Sequence, residues 1–201
     1  MRHLIAETIR QEATPPASAA SSERYYALGR MSKSELENTF LCGYTPEPEK
    51  LAGWEFRGLN TPFWARIIGV KKFIKGFYRT DDNKLYGYNC PVVQNAIYEP
   101  WIARPDDSAP KHFGFYEVYK TDPTAVDNAY LHALLLDYGK GPVRTTMDRF
   151  DPTRGLRDYL VKVDADNDDL LLGKAYYALG PARVGVSYFV LERHRPGTYR
   201  A

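Results

Sequence analysis

The sequence has few of the residues from which metal sites and disulfide frameworks are built. It contains two cysteines, Cys42 and Cys90, and four histidines. The cysteines form no Cys-x-x-Cys pair, and the histidines are not spaced as in His-x-His or His-Glu-x-x-His, so neither a zinc site nor a metalloprotease is indicated. We therefore predict no metal and no other cofactor. Free thiols are expected, because a disulfide would need an oxidising compartment.

An excess of charge of one sign is also missing. Lysine and arginine total 27 and aspartate and glutamate 25, which gives a net charge of +2. This balance does not indicate binding to nucleic acid or to an anionic membrane surface. The densest basic run is Lys71–Lys75, with the sequence KKFIK. Lysines that flank an apolar pair are typical of a half-exposed strand, and we interpret the run as one.

Long hydrophobic runs are absent too. No stretch approaches the roughly 20 apolar residues of a membrane-spanning helix. The first 26 residues lack the continuous apolar core of a signal peptide, because charged and polar side chains such as Glu7 and Arg10 interrupt them. We therefore expect a cytoplasmic protein that does not span a membrane.

The N-terminal region differs in composition from the rest. Residues 1–30 contain the small, polar, proline-bearing stretch ATPPASAASS, which predicts a flexible or partly helical arm. Residues 31–201 are predicted to form a single barrel domain that begins with a helix in MSKSELENTFL. Two serine–glutamate pairs at its start have the spacing of a capping box, Ser32 with Glu35 and Ser34 with Glu37.

Aromatic residues are abundant instead, at 14% of the chain, with 16 tyrosines. From Leu51 to Glu192, turn residues separate short strand-like segments, a pattern typical of a mainly β sandwich or barrel. Hairpin-length connections favour an antiparallel up-and-down barrel of about eight to ten strands. The candidate strands are 51–60, 70–79, 84–89, 92–98, 112–120, 129–138, 143–150, 156–163, 170–179 and 183–192.

Two further features concern the inside of such a barrel. The apolar stretch TPFWARIIGV directly after the first strand predicts a short helix that plugs the barrel. Gly173 and Ala175 share one strand face, and small residues on an inward face leave room for a cavity or a sharp bend.

Three short motifs add a family resemblance. The first strand carries Ala52-Gly53-Trp54, a middle segment carries Leu136-Asp137-Tyr138, and Arg193 follows the last strand. From about residue 50 to 193 the chain resembles the calycins, the superfamily of the lipocalins and the fatty-acid-binding proteins. Lipocalins carry Gly-x-Trp, Thr-Asp-Tyr and an arginine that packs over the tryptophan; here the glycine is adjacent to Trp54, and a leucine replaces the threonine. The resemblance implies a closed barrel around a small hydrophobic ligand.

Two functions are compatible with this architecture. The first is binding of a small hydrophobic or amphipathic molecule in an aromatic-lined cavity, with tyrosine and arginine side chains holding its polar end. The second is a cofactor-independent isomerase or cyclase that acts on a small hydrophobic substrate by confinement and proton transfer. A structural protein whose barrel is filled with side chains is a third alternative, and a homodimer is left open.

Candidate site residues follow from these two functions. Carboxylates embedded in apolar segments could exchange protons, because burial raises the pKa of a carboxyl, and a neighbouring tyrosine could stabilise an oxyanion. Asp158 belongs to this class of carboxylate. The candidate catalytic residues are Glu117, Asp137, Tyr116 and Tyr177. The candidate ligand-binding residues are Trp54, Arg57, Tyr119, Arg149, Tyr188 and Arg193.

Overall fold

The protein is a closed antiparallel β-barrel, seen in a computed structural model that describes residues 21–61, 69–143 and 150–199. Each strand pairs with the next along the chain, and the last strand pairs with the first. The predicted mainly β, up-and-down barrel is confirmed, and the fold is consistent with calycin architecture. The eight strands are β1 (Trp54–Asn60), β2 (Lys72–Arg79), β3 (Leu85–Pro91), β4 (Phe113–Lys120), β5 (Leu134–Asp137), β6 (Leu156–Lys162), β7 (Leu170–Leu179) and β8 (Ala182–Pro196).

One of the predicted strands, 92–98, is not a strand in the structure. Residues 92–98 form a loop, in which Val92 makes a single isolated bridge with Ala103. The side chain of Gln94 accepts hydrogen bonds from the backbone of Lys71 and Lys72 at 2.8 and 3.1 Å, so it satisfies donors that a further strand would have paired. The predicted strand 143–150 and the predicted helical plug lie largely outside the described residues.

Aromatic rings over glycines fill much of the barrel interior. Phe73 lies over Gly58, Tyr116 over Gly87 and Phe189 over Gly173, each ring on the strand next to its glycine. A Cβ atom on Gly173 would lie 2.1 Å from Phe189 Cζ, so a ring occupies the room that this glycine leaves. Other residues of the inner core are Phe56, Phe77, Leu85, Val118, Leu134, Leu136, Leu160, Leu171 and Leu191.

Two helices pack on the outer side of the barrel. α1 (Glu23–Arg30) lies against β8, and α2 (Lys33–Leu41) lies against β7. Ser32 caps α2, and the capping box that it forms with Glu35 confirms the first of the two predicted pairs. α1 buries Tyr25 in a second apolar cluster outside the barrel wall. Residues 1–20 of the predicted arm lie outside the described residues, so its boundary at residue 30 stays a prediction.

The two ends of the barrel, which we name the Trp54 end and the Asn60 end after the ends of β1, are built differently. At the Trp54 end, the Arg193 guanidinium carbon lies 4.6 Å from the ring centroid of Trp54, the packing that the calycin resemblance implies. The short helix α3 (Pro48–Leu51) lies at the same end, where Leu51 packs into the inner core. The β1–β2 and β5–β6 connections lie at the Asn60 end. In the described ranges, no helix is long and apolar enough to cross a membrane.

Candidate functional site

A lysine lies inside the barrel. Lys75 is in β2, two residues after the inward-facing Phe73, and only 3% of its side chain is exposed. Its ammonium nitrogen lies 4.6 Å from the ring centroid of Tyr116, 5.0 Å from that of Tyr138 and 5.2 Å from that of Phe189. Aromatic faces attract a cation, so these rings offset part of the hydration that the ammonium has lost.

Three polar side chains surround this ammonium, and together they form the Lys75 cluster: Lys75, Asn89, Tyr138 and Asp158. The Lys75 ammonium lies 3.0 Å from Asp158 Oδ2, donates to Asn89 Oδ1 at 3.1 Å and also donates to the Tyr138 hydroxyl. That hydroxyl donates to Asp158 Oδ2 at 3.1 Å. Asn89 Nδ2 donates to the Tyr138 hydroxyl at 3.2 Å and to the carbonyl of Gly114 at 2.9 Å. All four side chains are buried.

Burial changes the protonation chemistry of the Lys75 cluster. It lowers the pKa of the Lys75 ammonium, although the charge of Asp158 opposes the change. It raises the pKa of the Tyr138 hydroxyl well above its ordinary value, and the charge of Asp158 adds to that rise. An ion pair withdrawn from water is often less stabilising than an apolar pair of similar volume. Buried charges with perturbed pKa values are typical of functional sites, although structural ion pairs share them.

One oxygen of the cluster takes no hydrogen bond from any residue that the structure describes. Asp158 Oδ2 forms the ion pair with the Lys75 ammonium and accepts a hydrogen bond from the Tyr138 hydroxyl. Asp158 Oδ1 is also buried, and no group in the described part of the chain donates a hydrogen bond to it. A buried carboxylate oxygen without a donor is destabilising by about 1–3 kcal/mol or more. The cluster therefore retains an unused hydrogen-bond acceptor.

A cavity of about 240 Å³, which we name the barrel cavity, reaches the Lys75 cluster from the Asn60 end. All four members of the cluster line it, and most of the remaining wall is apolar or aromatic. An apolar cavity with a few convergent polar groups is the usual form of a small-molecule site. The other lining residues are Asn60, Val70, Phe73, Phe113, Thr153, Leu156, Ala175 and Ser187.

A larger cavity of about 690 Å³, the outer cavity, lies beside α2 along β7 and β8. Ala175 and Ser187 line both cavities, so the two adjoin along these strands. The volume of the outer cavity lies within the range of about 300–1,000 Å³ that is common for ligand pockets. The other lining residues are Met31, Ser32, Lys33, Leu36, Glu37, Thr61, Lys174, Tyr176, Gly185 and Tyr188.

The ion pair in the outer cavity is satisfied within the protein. The Lys174 ammonium donates to the two carboxylate oxygens of Glu37 at 2.9 and 2.7 Å and to the Tyr130 hydroxyl. The Tyr188 hydroxyl also donates to Glu37. Burial lowers the pKa of Lys174, but the hydrogen bonds with Glu37 and the tyrosines outweigh burial and raise it. The three hydrogens of this ammonium are therefore already used.

The four predicted catalytic residues are not brought together. Tyr116 lies inside the barrel next to the Lys75 cluster. Glu117 and Asp137 face each other across β4 and β5 on the outer side of the wall, where Asp137 accepts a hydrogen bond from the Tyr119 hydroxyl at 2.9 Å. The Tyr177 hydroxyl donates to a backbone carbonyl at 2.8 Å. The convergent carboxylate and tyrosine inside the barrel are Asp158 and Tyr138 instead.

Two of the predicted arginine anchors, Arg57 and Arg193, lie away from the barrel cavity. Arg57 is on the outer side of the wall, where its Nη2 atom lies 2.9 Å from Glu192 Oε2. Arg193 lies over Trp54 at the Trp54 end, and its guanidinium also contacts the carboxylate of Asp169. Both guanidinium groups are thus engaged by protein groups outside the cavity.

The other predicted ligand-binding residues occupy separate places. Tyr119 is on the outer side of β4, beside Asp137. Tyr188 lines the outer cavity. Arg149 lies outside the described residues. Among the predicted site residues, Tyr116 lies inside the barrel beside the Lys75 cluster, and Trp54 lies at the far end.

The sequence-based site omits Lys75, Asn89 and Tyr138 and includes Asp158 only as one of several embedded carboxylates. The interpretation of Lys71–Lys75 as a half-exposed strand is wrong, because Lys72 and Lys75 are 0% and 2% exposed. The Lys72 ammonium is covered by the 95–100 loop, where it donates to carbonyl oxygens. One feature of the sequence does indicate that Lys75 faces inward: strand alternation places it on the same face as Phe73 and Phe77.

Comparisons with known proteins add no family. No model of a protein family matches the chain, and no curated protein matches it. In the part of the chain that the structure describes, no three His, Cys, Asp or Glu side chains are grouped as a metal ion would require. Both cysteines there are free, as predicted, with Cys42 exposed and Cys90 buried. A functional conclusion therefore depends on the geometry of the two cavities.

Proposed function

We propose that this protein binds a small, mainly apolar molecule in the barrel cavity and holds the polar end of that molecule at the Lys75 cluster. The observation that carries the proposal is the buried ion pair of Lys75 and Asp158 at the inner end of an apolar cavity. Charged residues are rarely fully buried unless they are paired, and a buried, perturbed pair that lines a cavity is a candidate for a functional site. The polar anchor that we propose is the Lys75 cluster and not Arg57 or Arg193, whose guanidinium groups are engaged elsewhere in the protein.

The volume of the barrel cavity limits the size of the ligand. At about 240 Å³, it is smaller than the range of about 300–1,000 Å³ for sites that hold drug-sized molecules. A molecule with one or two rings, or a short alkyl chain, would fit such a space. The apolar wall would contribute affinity in proportion to the apolar area that it removes from water.

Native mass spectrometry of the purified protein, followed by solvent extraction, tests this proposal. We expect a retained small apolar compound, or binding of a naphthalene-sized probe by calorimetry where nothing is retained. Leu156→Trp should abolish the binding by filling the barrel cavity. Met31→Trp, the matched control in the outer cavity, should leave it intact. Loss of binding only in Met31→Trp would place the ligand in the outer cavity, and a wild-type protein that neither retains nor binds a compound would refute the proposal.

Proton-transfer catalysis in the same cavity is a second candidate function. It is favoured by the convergence of the Asp158 carboxylate, the Tyr138 hydroxyl and the Lys75 ammonium around one position. Incubation of the retained compound with the protein in D₂O would distinguish catalysis from binding. A cofactor-independent isomerase should exchange carbon-bound hydrogen of that compound, and Tyr138→Phe should slow the exchange. An unchanged compound would leave binding alone.

A cytoplasmic location and the lack of a nucleic-acid partner stay predictions from the sequence, and a homodimer is left open.

A further inference from the structure

We infer that the ligand of the barrel cavity is neutral and carries a hydrogen-bond donor, such as a hydroxyl group, which donates to Asp158 Oδ1. This inference rests on the proposed function and names the ligand class. It concerns a single atom, because Oδ1 is the buried acceptor of the Lys75 cluster that takes no hydrogen bond from the described residues.

The other positions of the cluster are already used. The Lys75 ammonium has three hydrogens and three acceptors, namely Asn89 Oδ1, the Tyr138 hydroxyl and Asp158 Oδ2. The Tyr138 hydroxyl donates its one hydrogen to Asp158 and accepts from Lys75 and Asn89. The two hydrogens of Asn89 Nδ2 go to Tyr138 and to the carbonyl of Gly114. A ligand that can only accept hydrogen bonds therefore meets no free donor in the cluster.

Charge leads to the same ligand class. Lys75 and Asp158 together carry no net charge, so the cluster offers neither a carboxylate nor an ammonium ligand an unpaired partner. A carboxylate would in addition lie close to the Asp158 carboxylate, and like charges in a low-dielectric interior repel strongly. A hydroxyl group satisfies Oδ1 without adding charge. A buried acceptor left unsatisfied disfavours an analogue that lacks the hydroxyl.

Isothermal titration calorimetry at pH 7 with three probes of similar shape tests this inference. The probes are 2-naphthol, 2-methoxynaphthalene and 2-naphthoate. Wild-type protein should bind 2-naphthol about 10- to 100-fold more tightly than 2-methoxynaphthalene, the effect of one hydrogen bond to a charged acceptor, and should bind 2-naphthoate most weakly. The control is the double variant Lys75→Met/Asp158→Leu, which removes both charges together and should bind 2-naphthol and 2-methoxynaphthalene with equal affinity.

The outcomes separate the inference from the proposed function. Equal affinity of wild-type protein for 2-naphthol and its methyl ether, or tighter binding of 2-naphthoate, would overturn the inference and leave binding in the cavity established. A preference for 2-naphthol that persists in the double variant would also overturn it. If no probe binds, the compound that the protein retains in native mass spectrometry decides between the two proposals. A retained compound that has no hydrogen-bond donor overturns the inference alone. If the protein retains no compound, both proposals are overturned.

Discussion

Removing one partner of the buried ion pair should cost a large fraction of the stability of this protein. Asp158→Leu leaves the Lys75 ammonium inside the barrel without a counter-charge, because its other partners are the neutral side chains of Asn89 and Tyr138. Breaking a buried pair in this way typically lowers the free energy of unfolding by about 3–5 kcal/mol. The free energy of unfolding of a folded domain is about 5–15 kcal/mol in total, so the loss is large.

Removing both partners should be much less destabilising. Lys75→Met/Asp158→Leu replaces the charges with apolar side chains, and the adjoining cavity of about 240 Å³ gives the introduced leucine side chain room. Asn89 keeps its hydrogen bonds to Tyr138 and Gly114. Replacement of buried ion pairs by apolar residues is often neutral or stabilising. We therefore expect a free energy of unfolding within about 2 kcal/mol of the wild-type value.

Urea denaturation of the wild type, the two single variants and the double variant gives the coupling between Lys75 and Asp158 as a double-mutant cycle. Each single variant should be less stable than the double variant. If the two single variants each lose under about 1 kcal/mol, or if their losses add up to that of the double variant, the pair is neither buried nor coupled as described. The Lys75 cluster would then have no physical basis as a binding site.

Two other predictions concern groups outside the cluster. Burial, with the nearby charges of Arg195 and Arg57, lowers the pKa of His194 from 6.5 to about 4. The unfolded chain therefore binds a proton at His194 more readily than the folded protein does. The free energy of unfolding should fall by at most about 3 kcal/mol as the pH drops from 6.5 to 4. Urea denaturation across this range should show a shallower fall in His194→Gln, and an equal fall in both proteins would contradict the assignment. Burial raises the pKa of the Cys90 thiol to about 12, whereas Cys42 is exposed. At about pH 8, near the ordinary thiol pKa, a thiol reagent should therefore modify Cys42 quickly and Cys90 only after unfolding. Two fast reactions would show that Cys90 is accessible.

The fold was predictable because its signals are local. Turn clusters such as Thr80–Asn83 mark hairpins, and Asn83 has the positive φ of 63° that such turns require. The pairing of Ser32 with Glu35 likewise identified the start of α2. The strand prediction failed at residues 92–98, where a glutamine side chain pairs with β2 and replaces the backbone of a strand. Local propensity contains no information on that tertiary contact.

The site was not predictable to the same degree because it depends on closure of the barrel. Asp137 and Asp158 both belong to strand-like segments with apolar neighbours, but the register of β5 and β6 places Asp158 opposite Leu136 inside the wall and Asp137 opposite Arg157 outside it. A shift of one residue would exchange the two. Lys75 and Asp158 then meet across the interior from strands that are not neighbours, and periodicity cannot supply that contact.

The distribution of polar groups along the barrel axis separates stability from binding. Toward the Trp54 end, apolar residues such as Phe56, Phe77 and Leu85 fill the interior, and substitutions there should act on folding. Toward the Asn60 end, the same interior holds an ion pair, a cavity and a carboxylate oxygen to which no described residue donates. In a barrel that served only as a structural core, apolar packing continued to this end would often be at least as stabilising as a buried ion pair. The position of the Lys75 cluster, and not the barrel itself, is therefore the physical basis of our proposal that this protein binds a small molecule.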